Sequence, residues 1–181
     1  MAPASNAGAT LTPDATFLGL NEVQAVIIAA ALAAVMALWA IFSQRAISAR
    51  NATIEFIRDG ESDRDLIKAH ATFSRLTRDP QGLAPWASLP TSKEFTCIRV
   101  VLNHYELAAI AIQRGTFDDT TYRRWFRSGV ISAWNAAAPF VLARRNDTKN
   151  QALWHEFEEL ARWYRGGPPM PRRRFFWRKF L

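Results

Sequence analysis

The side chains that could do chemistry are few, and their spacing argues against most of it. Three histidines occur, His70, His104 and His155, each on a different predicted helix. His155-Glu156 opens an HExx sequence, but Glu159 stands where a zincin would place its second histidine. A di-iron bundle needs Glu-x-x-His pairs, and no histidine here has a Glu three residues before it. Cys97 and His104 are seven apart, on one helix face, with no third ligand in view. Cys97 is the only cysteine, so no intrachain disulfide can form, which suits a reducing compartment. Asn103, His104 and Glu106 form a candidate polar site inside the most apolar helix. Asn103 and Glu106 are three apart, and thus either face a groove or form a structural pair that sets helix register; the structural role is favoured. The acidic pairs Asp118-Asp119 and Glu158-Glu159 read as a helix start and an outer face. No Gly-rich phosphate loop, Gly-x-Ser-x-Gly or Cys-x-x-Cys is present. Nothing implies a cofactor or metal, and no enzyme activity is expected.

The element that organises the chain is apolar. Val23–Gln44 carries no charge, and 25–42 is unbroken apolar. As a helix it spans roughly 33 Å, close to the hydrocarbon thickness of a bilayer. Its nine Val, Ile, Leu and Phe residues contribute about −3 to −5 kcal/mol of insertion free energy. A transmembrane helix over 22–44 is therefore expected. Cleavage as a signal peptide is not, because residues 1–22 hold no Lys or Arg. Arg45, Arg50 and Arg58 follow the span, so the positive-inside rule puts the short leading segment outside and the large domain in the cytoplasm of an inner membrane. Trp39 suits the headgroup level. Ala25, Ala29, Ala33 and Ala37 recur every four residues, a spacing at which a second helix can approach closely.

The remaining chain divides by composition. Residues 1–21 read as a disordered tail, with Asn21 as a cap, and 45–167 as one helical domain. Of the formal charge of +7, the leading 22 residues carry −2, the domain +4, and residues 168–181 carry +5. A domain at +4 is no nucleic-acid footprint. The spanning helix is expected to run on to Asp59-Gly60, with Gly60 past its end and Ser62 capping the next. That helix presents Leu66, Ala69, Phe73 and Leu76, and Asp79-Pro80 stops it. Residues 80–91 form a loop in which Trp86 and Leu89 pack down. Thr91 or Ser92 starts a long helix bearing Phe95, Ile98, Val101, Leu102, Tyr105, Ala109 and Ile112, ended by Gly115. Asp118 or Asp119 caps a helix carrying Tyr122, Trp125, Phe126, Val130, Trp134, Ala137 and Val141, with a kink or break at Pro139. A turn at 144–148 and a last helix capped by Asp147 or Thr148 complete an all-α bundle of four to five helices behind one transmembrane helix.

Residues 168–181 are the second informative stretch. Arg172, Arg173, Arg174, Arg178 and Lys179 interleave with Phe175, Phe176, Trp177, Phe180 and Leu181. The pattern fits either contact with a protein partner or an anionic lipid surface, where each basic side chain is worth about 1 kcal/mol.

Three stretches carry a resemblance: LNHYELAAIAIQRGTFDD (Leu102–Asp119), the aromatic helix with Trp134 and Pro139-Phe140, and WHEFEELARWY (Trp154–Tyr164). Over residues 23–165 the chain resembles an uncharacterised bacterial family, domain of unknown function 4760. The resemblance implies one span joined to a cytoplasmic helical domain and supplies no site. The expected partners are the membrane and an integral membrane protein, in an accessory role on a larger complex, with anionic lipid as the alternative; nucleic acid is not expected. A third alternative is an enzyme or ligand-binding domain using Asn103, His104 and Glu106, and the sequence names no small molecule for it.

Overall fold

The computed structural model describes residues 22–170. All regular structure among them is helical: α1 (Glu22–Ser62), α2 (Arg64–Thr77), a 3-10 turn (Ala84–Ser88), α3 (Lys93–Arg114), α4 (Asp119–Thr148) and α5 (His155–Tyr164). Residues up to Gln44 form one compact unit and those from Arg45 a second. The predicted tails, with Arg172, Arg173, Arg174, Phe175, Phe176, Trp177, Arg178, Lys179 and Phe180, lie outside the described residues.

The first unit contains the opening part of α1. From Val23 to Gln44 only Ala25 and Ser43 are half-buried; every other residue is exposed, Trp39 to 72 %. Ala29, Ala33 and Ala37 are among the exposed ones. A stretch this apolar with no residue buried among the described residues is a candidate membrane span, long enough and apolar enough to cross a bilayer. Helix α3 passes the same test of length and composition, but its apolar face is buried in the domain core.

The second unit is built around α3. Ile98, Val101, Leu102 and Ala108 are fully buried, and α2 and α5 pack against this helix. Helix α2 contributes Leu66, Ala69, Phe73 and Leu76, the four positions its periodicity picks out. Helix α4 packs on α5 and on the 3-10 turn. Three caps follow local chemistry. Ser92 accepts from the Phe95 amide, Asp118 accepts from the Thr121 amide, and Gly115 ends α3 at φ 73°, a left-handed conformation that suits glycine.

Several boundaries differ from the local expectation. Helix α1 passes through Gly60 to Ser62, and Asp63 caps α2 by accepting from the Asp65 and Leu66 amides. Gly60 instead lies close to α3: a Cβ there would stand 3.3 Å from His104 Cε1, a tight contact. Ser62 donates back to the Arg58 carbonyl. In the segment after Pro80 a 3-10 turn forms, and Leu83 and Ala87 are buried; Trp86 is half-buried and Leu89 is exposed. Helix α4 continues through Pro139 and through the expected turn at 144–148, ending at Thr148, with Lys149 closing it in the left-handed region. The proline removes one backbone bond. Phe140, Val141 and Arg145 beyond it are buried, which holds the continuation in place. Trp125 on this helix faces out at 64 % exposure.

Helix α1 enters the second unit at Arg45, and a buried threonine ties it down. Thr53 is fully buried; its hydroxyl donates to the Ala49 carbonyl and accepts from the Asp118 amide, both at 2.8 Å. One side chain thus joins α1 to the start of α4.

Candidate functional site

Two of the polar side chains that the sequence singles out, Asn103 and Glu106, meet at α5. This ten-residue helix is preceded by Trp154 at φ 50° and has no side-chain cap of its own. A helix start leaves amides without partners, and a carboxylate there also meets the positive end of the helix dipole. Glu106 of α3 supplies it from a distance: Oε2 accepts from the Phe157 amide at 2.7 Å and Oε1 from the Glu156 amide at 3.3 Å. One turn earlier, Asn103 Oδ1 accepts from the Trp154 indole at 2.9 Å. Further along the helix, buried Gln113 donates to Glu156 Oε2 at 2.8 Å. Burial pushes the Glu106 carboxyl up from its ordinary pKa, and the two amides pull it back toward the charged form.

The other side of α5 is held by α4. Arg145, only 6 % exposed, donates through Nε and Nη2 to the Leu153 carbonyl and through Nη1 to Glu158 Oε2 at 2.7 Å. Tyr164 donates to Asp119 Oδ1 at 2.8 Å, and Arg127 Nε donates to the Tyr164 carbonyl. Burial first, then the Asp119 charge, drives the Tyr164 phenol upward in pKa.

His104 has different company. Its ring stacks on Phe56 of α1 at 4.5 Å between centroids, with His70 of α2 at 6.1 Å and edge-on. Tyr105 lies 5.9 Å from His70 and 6.0 Å from His104. Burial lowers His104 to about 4, with the neighbouring His70 adding to the shift and Asp63 opposing it. Burial also lowers His70, against Glu61. Both imidazoles are thus neutral at neutral pH. His155 is exposed at the start of α5, away from this pair in its contacts. Among the described residues no three His, Cys, Asp or Glu side chains are placed to hold a metal ion.

The candidate trio therefore divides. Asn103 and Glu106 act together on α5, whereas His104 belongs to the contact between α1, α2 and α3. Asn103 and Glu106 also line an open cleft of about 650 Å³ with Arg99, Arg144 and Trp154, but Glu106 meets it with both oxygens already accepting. What this arrangement does is fix one helix against two others. Glu106→Gln keeps one acceptor and loses the charge. We expect it to cost about 1 kcal/mol, and Glu106→Ala about 2 kcal/mol, with faster hydrogen exchange at the Glu156 and Phe157 amides. Unchanged exchange at those two amides would contradict the capping role.

Arg145 and Thr53 were not legible as polar anchors. A signal for Arg145 exists: Trp134, Ala137 and Val141 lead to position 145 on one helical stripe. An arginine that continues an apolar stripe is a candidate for a buried, bonded side chain.

Residues 27–164 match the family model described as a domain of unknown function, DUF4760. No curated protein and no solved structure matches the chain.

Proposed function

The chain belongs to the DUF4760 family, and from that premise we propose that it is a membrane-anchored helical interaction module with no enzymatic activity of its own. In this reading α1 spans a bacterial inner membrane once, the domain from Arg45 onward is cytoplasmic, and the protein serves as an accessory subunit on a larger membrane complex. The observation that carries it is the Val23–Phe42 stretch of α1, apolar throughout apart from Gln24 and with no large side chain buried. An apolar helix of this length finds its partner in lipid or in another helix. The exposed Ala29, Ala33 and Ala37 row supports the second contact. A non-enzymatic role is supported by the use of Asn103 and Glu106: their side-chain oxygens are bonded to residues at the start of α5.

Two measurements test this. The intact protein is expected to stay in the membrane fraction after alkaline carbonate washing, at its full-length mass, while protease added to spheroplasts leaves the domain uncut. A cleaved mass and a soluble product would make the helix a signal sequence and end the proposal. In mild detergent the protein is expected to run as part of a larger assembly of defined composition. A clean monomer would remove the accessory-subunit role and leave the anchor standing.

A further inference from the structure

We propose that the edge where α4 meets α5 is a lipid-binding surface, centred on Trp125 and taking the phosphate headgroups of an anionic bilayer. Trp125 is 64 % exposed, whereas Tyr122, Trp134 and Phe140 of the same helix are buried and Phe126 is half-buried. The indole stands among arginines. Arg123, Arg124 and Arg127 lie within one helical turn of it, and α4 holds no acidic residue from 120 to 146. Arg124, Trp125, Arg127, Ser128 and Ile131 line an open groove of about 330 Å³, with half-buried Ile131 as an apolar side.

Folding gathers these charges and leaves them uncancelled. Arg127 Nε donates to the Tyr164 carbonyl at 3.0 Å, Arg165 of α5 donates to Asn135 Oδ1 of α4, and the Arg123 guanidinium lies 5.4 Å from the Tyr164 ring centroid. These contacts are all with neutral groups. Among the described residues, Arg123, Arg124, Arg127 and Arg165 form no ion pair. The glutamates of α5 have other partners: Glu156 accepts from Gln113, Glu158 from Arg145 and Glu159 from Arg162. Four guanidiniums around one exposed indole suit a surface that offers many phosphates with an apolar layer beneath. Each basic side chain near an anionic leaflet tightens binding about fivefold, and an indole fits the headgroup level. A chain that carries its own membrane span also holds a bilayer at high effective concentration around its domain, which favours lipid over an acidic protein or a nucleic acid. This choice of partner rests on the anchor proposed for α1.

The test places the photocrosslinker p-benzoylphenylalanine at position 125 of the full chain, reconstituted into nanodiscs of phosphatidylcholine alone or mixed equally with phosphatidylglycerol. Lipid adducts on the peptide containing residue 125 are expected in the mixed discs, at about ten times the yield in phosphatidylcholine. Arg124→Glu is expected to remove most of that excess. It alters an exposed residue with no hydrogen bond or ion pair among the described residues, so the fold is untouched. Equal yields in the two discs, no lipid adduct, crosslinks to protein instead of lipid, or a yield that Arg124→Glu leaves unchanged would each overturn the proposal. A chain that does not enter either disc would end the anchor reading instead. Flotation of that same chain with phosphatidylglycerol vesicles then decides the surface by itself: binding that Arg124→Glu weakens about tenfold supports it, and no binding, or binding that the variant keeps, overturns it.

Discussion

Replacing Arg145 by alanine is expected to destabilise the domain by about 3 kcal/mol, the largest loss we predict for a single polar side chain in this fold. The side chain is nearly fully enclosed and makes three hydrogen bonds, two to the Leu153 carbonyl and one to Glu158. Truncation leaves that carbonyl without these donors, opens a void the size of a guanidinium and its stem, and strands the Glu158 charge. The three losses are unequal. Glu158 keeps 37 % of its side-chain surface in water, so its charge can be resolvated, and Glu158→Gln is expected to cost only about 1 kcal/mol. The carbonyl and the void carry the remainder. Arg145→Lys fills part of the space, but an ammonium cannot present the planar fork that gives Leu153 two bonds, so it should fall between the other two. Thermal or denaturant unfolding of the full chain in detergent supplies the comparison. If Glu158→Gln matched Arg145→Ala, the ion pair rather than the carbonyl would be the main contact.

The second large effect is a loss of stability in acid, traced to His104. Its half-buried imidazole stacks on Phe56 with His70 close by, and its folded pKa is about 4 against an ordinary 6.5. For a base with a depressed folded pKa, the unfolded chain binds the proton first as pH falls. Stability is therefore full above about pH 6.5 and declines as pH falls toward 4, below which this group adds no further change. The shift corresponds to at most about 3 kcal/mol, less whatever solvent reaches the part of the ring that is not enclosed. His70 acts with the same sign. Glu106 acts with the opposite sign where the windows overlap, because its carboxyl is raised rather than lowered. The clean measurement is a difference: His104→Phe keeps a flat ring on Phe56 and removes the titration, so its stability should depend on pH less steeply between 6.5 and 4 than that of the parent. Parallel curves for the two proteins would show that His104 does not contribute to the acid loss.

How far the chain could be read without its tertiary structure depended on the range of the force involved. Apolar periodicity and capping act within about four residues, so the buried face of α2, the core face of α3 apart from Ala108 and Gln113, the Ser92 cap, the Gly115 stop and the apolar stretch of α1 were all legible. Local rules failed where a distant contact outweighed them. Pro139 should interrupt α4, yet the burial of Phe140, Val141 and Arg145 carries the helix on to Thr148. Gly60 looks like a helix end but lies inside α1, close against a histidine on another helix. Helix α5 could not be started correctly from its own residues because its capping carboxylate, Glu106, lies about fifty positions earlier: the Glu106–Phe157 pair is 51 residues apart. The same holds for Asn103 with Trp154, also 51 apart, and for Thr53 with Asp118, 65 apart. By itself, then, the sequence determined an apolar helix of membrane-spanning length followed by an all-helical domain, because those properties are sums over neighbouring side chains. Only the tertiary structure decided that Asn103 and Glu106 hold α5 while His104 seats α1, because a polar side chain's role is set by the group it reaches, and that group is brought near only by folding.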